Sequence, residues 1–83
     1  MFSFKASFCL AAVGGMTAAI KAERALRPLG IQTRISALSP EQTRNGCAFG
    51  VEFPCEELAR VRRALRAARI PVTEYIEQGG AGP

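Results

Sequence analysis

The clearest pattern at the start of the chain is an alternation that gives way to a solid apolar run. Over residues 4–13, Phe4, Ala6, Phe8 and Leu10 fall on one side, and the segment then becomes continuously apolar up to Gly14-Gly15. This predicts a strand whose end is buried. The double glycine reads as the turn that follows, since glycine accepts backbone angles that other residues avoid. A helix is expected over residues 16–27. Ala18, Ala19, Ala22 and Leu26 recur there at three- and four-residue spacing, while Lys21, Arg24 and Arg27 point away. Pro28 and Gly30 end it.

Residues 30–38 alternate again, Ile31, Thr33, Ile35 and Ala37 against Gln32, Arg34 and Ser36, as in a half-exposed strand. A polar stretch with Pro40, Asn45 and Gly46 is a loop. Residues 47–53 form the third strand, with Cys47, Phe49, Val51 and Phe53 on one face. Pro54 is placed to open a second helix, and Glu56 and Glu57 then meet the positive end of its dipole. Leu58, Val61, Leu65 and Ala68 make its buried stripe, and Pro71 ends it. Val72, Tyr75 and Ile76 suggest a fourth strand, and residues 78–83 read as a glycine-rich, disordered tail. The order strand, helix, strand, strand, helix, strand predicts an α+β, ferredoxin-like βαββαβ domain over residues 1–77, with both helices on one face of an antiparallel sheet.

Composition narrows the chemistry. Eighty-three residues allow one core, and a dimer is one way to cover leftover apolar surface. No apolar stretch reaches the ~20 residues that cross a bilayer. The first 22 residues loosely mimic a secretory signal. Gly14-Gly15 interrupts its apolar core, however, and cleavage would delete a strand and much of a helix. Histidine is absent, so a Cys-His nucleophile pair is excluded within the chain, and the three cysteines fit no zinc spacing. No metal or cofactor is expected. With no two cysteines close in sequence, a structural disulfide is not expected, and free thiols in a reducing, cytoplasmic compartment are.

In the predicted topology the first and third strands are antiparallel neighbours. Gly14, Gly15, the start of the first helix and Cys47 should therefore meet at one sheet edge. A helix N-terminus there would favour the thiolate of Cys47. Thr17 and Arg44 can help to hold an anion, and Gly46 lets a partner approach the sulfur. Cys55, at the other end of the third strand and near a helix start, is the second candidate. Cys9 is expected in the core. The bland alternative is that Cys47 only fills space, or is buried at a dimer contact, since free cysteine is commonly buried.

The Gly46-Cys47 pair and the helix Thr17-Ala18-Ala19-Ile20-Lys21-Ala22-Glu23 carry a resemblance, as does the Gly30-Ile31 opening of the second strand. Their order and spacing resemble the selenium/sulfur (Se/S) carrier protein-like family, over about residues 8–76. The resemblance implies that Cys47, supported by Gly46, carries sulfur or selenium as a persulfide or selenosulfide. The protein would then be a carrier more than an enzyme, served by a cysteine desulfurase or selenium-delivery enzyme. The other reading is a non-catalytic interaction module. Arg60, Arg62, Arg63, Arg66 and Arg69 in the second helix are either a solvated face or a dock for an acidic protein or nucleic acid. RNA binding through the sheet is disfavoured, because Cys47 and Glu52 fall where base-stacking aromatics belong.

Overall fold

The computed structural model describes residues 8–38 and 49–78. Its elements are β1 (Phe8–Val13), α1 (Met16–Leu26), β2 (Arg34–Ala37), β3 (Phe49–Pro54), α2 (Leu58–Ala67) and β4 (Glu74–Gln78). Among the described residues the four strands form one antiparallel sheet in the order β2-β3-β1-β4. This is the expected α+β, ferredoxin-like arrangement. The expected strand residues before Phe8, the loop before Cys47, Cys47 itself and residues 79–83 lie outside the described residues.

The two faces of the sheet are occupied differently. Cys9, Ala11 and Val13 of β1 and Val51 and Phe53 of β3 point to the helices. They pack there against Ala19, Ala22 and Leu26 of α1 and Val61 and Leu65 of α2. On the opposite face Leu10 and Ala12 are buried with Leu38, and Ile76 packs on them. Leu10 lies directly over Gly50, so that a β-carbon at Gly50 would collide with the Leu10 side chain. A continuously apolar β1 is thus explained by burial on both faces.

Several boundaries differ from the sequence-based expectation for local reasons. β2 pairs only from Arg34, although Ile31 ahead of it packs into the same core as Ile35. Pro54 does not open α2. It keeps an extended backbone (φ −64°, ψ 132°) and still pairs with Phe8, so a 3₁₀ turn at Cys55–Glu57 precedes the helix. Glu56 and Glu57 belong to that turn. α2 ends before Pro71, in a cap where Arg69 adopts a left-handed φ of 58°. Its N–H donates to Arg66 O and that of Ile70 to Leu65 O, both at 3.0 Å. These are the paired bonds of a Schellman motif, with Ile70 and Leu65 buried beneath it. Ala68, placed in the buried stripe by its spacing, is exposed as a result. Gln78 continues β4, opposite Phe8, instead of starting the tail.

Candidate functional site

The β1–β3 register fixes what lies at each end of the central strand pair. Val13 opposes Phe49 at one end and Phe8 opposes Pro54 at the other. Val13 runs into Gly14-Gly15, and Phe49 is the second residue after Cys47. Gly14, Gly15 and Thr17 together line a cleft of ≈620 Å³. Its opposite wall is the α2 cap, contributed by Arg69, Ile70 and Pro71, and Lys21 of α1 also borders it. Thr73 joins this wall to β1, its N–H and hydroxyl both donating to Ala12 O at 3.0 and 3.2 Å. Spacing had pointed to Gly14, Gly15 and Thr17. It had not pointed to Lys21, which lies one turn after Thr17 on α1, or to Arg69, which reaches the cleft only through tertiary packing. Arg44, Gly46 and Cys47 lie outside the described residues.

Among the described residues, the helix mouth at this cleft carries no side-chain cap. Gly15 is the N-cap, with an extended backbone at φ −168°, no side chain caps α1, and no acidic residue occupies its first turn. Among the described residues no side chain accepts from the first amide N–H groups of α1, and no carboxylate in its first turn offsets the helix dipole. Lys21 and Arg69 add positive charge on two sides. The glycines act here by leaving space and not by backbone freedom. Neither has a positive φ, and a β-carbon on either would meet nothing within 4 Å. That corrects their expected role as a turn requiring glycine. Gly30 does hold such a conformation (φ 77°), closing the 3₁₀ turn that follows α1.

The other end of the strand pair overturns a larger expectation. Cys9 and Cys55 are joined in a disulfide, with their α-carbons 4.9 Å apart, inside the range that such bonds span. Cys55 follows Pro54, and Pro54 opposes Phe8, so the chain delivers Cys55 beside Cys9. Cys55 is thus neither a free thiol nor a second candidate, and Cys9 is buried as half of a cross-link. The expectation of a reducing compartment had rested on three unpaired thiols and loses that basis. No helix among the described residues is long and apolar enough to cross a membrane.

The family whose profile is described as Putative Se/S carrier protein-like matches residues 8–77. The chain belongs to that family. No curated protein and no solved structure matches it. As a Se/S carrier-like chain it carries the family's likeness across β1 to β4, including both sides of the cleft.

The arginines of this Se/S carrier-like domain do not act alike. Arg60 donates to Glu57 Oε1 at 2.9 Å and to Leu29 O at 3.0 Å, tying α2 to the turn after α1. The Arg62 guanidinium lies 5.4 Å from the centre of the Tyr75 ring, which itself meets Phe53 edge-on at 6.5 Å. Burial pushes the Tyr75 hydroxyl above its ordinary pKa, and the charges of Arg62 and Arg66 pull it partly back. Arg63, Arg66 and Arg69 are exposed, and no carboxylate among the described residues pairs with them.

Proposed function

We propose that this domain is a sulfur or selenium carrier that holds a persulfide or selenosulfide on Cys47 and passes its terminal atom between partner enzymes. The observation that carries the reading is the Cys9–Cys55 bond. It occupies two of the three cysteines and leaves Cys47 as the remaining one. Membership of the family supports the chemistry. Connectivity supports the location, because two peptide units hold the Cys47 α-carbon within about 7.6 Å of that of Phe49. Phe49 faces Val13, next to the mouth of α1. The positive potential of that mouth, Lys21 and Arg69 favours a thiolate over a thiol.

The transfer is a thiol exchange and needs no oxidant. The Cys47 thiolate attacks the terminal sulfur of a donor persulfide, R–S–SH. A new bond forms between Cys47 Sγ and that sulfur, the donor S–S bond breaks, and R–S⁻ leaves with the electron pair. Selenium moves in the same way from R–S–SeH. Discharge repeats the step, with the acceptor's thiolate as nucleophile and Cys47 as leaving group. Gly14, Gly15 and Gly46 keep the sulfur approachable, while Thr17 and Arg44 steady the anionic terminal atom. A cysteine desulfurase or selenium-delivery enzyme is the class of donor. The test is to incubate the oxidised protein with a cysteine desulfurase and cysteine, then assay sulfane sulfur by cyanolysis. One labile sulfur per chain is expected, absent in Cys47→Ser and retained when Cys9 and Cys55 are both replaced by alanine. Equal loading of Cys47→Ser refutes the proposal.

A further inference from the structure

The outer side of the helix layer carries a groove that the carrier chemistry does not use. It runs between the end of α1 and α2 and measures ≈660 Å³. Ala25, Ala64, Ala67 and Leu29 form its floor, and Leu29 is 41% exposed there. Arg60 and Arg63 stand on its rim. Small floor residues let a helix backbone approach closely, and Leu29 offers the apolar contact. Arg60 is held in place by Glu57 and Leu29 O, so its guanidinium is ordered before any partner arrives. Arg63 has no carboxylate partner among the described residues.

Beyond the Glu57 carboxylate that pairs with Arg60, the charge along α2 and its cap is all positive. From Leu58 to Thr73 the sequence contains five arginines and no Asp, Glu or Lys. Arginine presents a planar fork that matches a carboxylate with two parallel hydrogen bonds. A second copy of the chain would bring the same arginines against these and be repelled. Nucleic acid fits less well. The floor is aliphatic, and on the sheet face away from the helices Leu10 is fully buried with Glu52 opposite it, where exposed base-stacking aromatics would be needed.

We infer that this groove docks an acidic amphipathic helix of a partner protein, its apolar stripe on Leu29 and the alanines and its carboxylates on Arg60 and Arg63. α2 is 10 residues long, about 15 Å, which suits a partner segment of roughly three turns. Ala68 lines both this groove and the Gly14–Arg69 cleft. A helix seated in the groove therefore ends beside the cleft. The inference stands on the groove and its arginines and not on Cys47, although it would supply the surface by which a donor or acceptor enzyme is held.

The experiment is fluorescence anisotropy with the full oxidised chain and a labelled, stapled peptide. Its leucines recur at i, i+4 and i+7 and its remaining positions are mostly glutamate. The comparison probes are a peptide of the same composition with the leucine stripe scrambled, and a single-stranded oligonucleotide of equal charge. The amphipathic peptide should bind at least about tenfold more tightly than either, near 0.15 M salt where surface charge is screened beyond ~8 Å. Arg63→Glu and Leu29→Ser, both at exposed positions, should each weaken it by about tenfold, as loss of a paired rim charge or an anchor does. Arg34→Glu on β2 and Cys47→Ser should leave it unchanged. A Cys47→Ser protein that still binds the peptide but takes up no sulfur would leave both proposals intact. Absent binding, equal binding of the scrambled peptide, tighter binding of the oligonucleotide, or indifference to Arg63→Glu overturns the docking inference alone.

Discussion

Reducing the Cys9–Cys55 bond should cost the domain much of its stability. The two residues are 46 positions apart, so the bond closes a loop holding more than half the chain. In the chain-entropy account a closed loop of that length removes about 4 kcal/mol of denatured-state freedom. A domain of this size typically has about 4–12 kcal/mol in total. The same change should lower the melting temperature by roughly 16–32 °C. The assay is thermal unfolding followed by far-ultraviolet circular dichroism, with and without a phosphine reductant. Reduction avoids carving a cavity at Cys9, as a substitution in the core would. Cys47→Ser should melt with the oxidised wild type and respond to the reductant in the same way. A melting temperature within about 2 °C of the oxidised value, with thiol counting showing the bond fully reduced, would refute the loop-closure reasoning.

Three further outcomes follow from particular contacts. Tyr75 is the single tyrosine, so tyrosinate absorbance reports it alone. Its raised pKa means that the neutral hydroxyl stabilises the fold below pH ~10, and this contribution is lost as pH climbs through the folded-state value. Arg62→Ala should move the absorbance titration to still higher pH, and a downward shift would contradict the assignment. Gly50→Ala should cost about 1–3 kcal/mol in urea unfolding, because its β-carbon meets Leu10, whereas Gly14→Ala should be neutral or slightly stabilising. Arg69→Gly should gain up to about 1 kcal/mol, since glycine holds the left-handed cap without a β-carbon conflict.

The contrast between what the sequence conveyed and what it hid has physical causes. Three- or four-residue spacing placed both helices and alternation placed β2 and β3, because burial of one face imposes those periods directly, whereas β1 was legible as a continuous apolar run buried on both faces. Element ends were less legible. Pro54 suits a first helical turn, but it also suits a strand terminus whose N–H is not needed, and pairing with Phe8 decided between them. Nothing in Ala68-Arg69 announces a left-handed cap, since the usual signal there is glycine. The cleft was half visible. Gly14, Gly15 and Thr17 follow a strand end and Lys21 lies one helical turn beyond Thr17, whereas Arg69 joins only when α1 and α2 pack. The disulfide was legible and missed. The antiparallel pairing that sends Gly14 toward the start of β3 also sends Cys9 toward its end, where Cys55 stands.

In the proposed carrier, Cys9 and Cys55 fasten the sheet through their bond and Cys47 is the thiol kept for transfer. Alkylation of the native, unreduced protein over a range of pH, followed by peptide mapping, tests that division directly. The label should fall on Cys47 alone, with a rate that rises through a pKa below the ordinary thiol value of about 8.5, while Cys9 and Cys55 appear as one cross-linked peptide pair. Label on Cys9 or Cys55 before reduction, or a Cys47 that reacts only after unfolding, would contradict it.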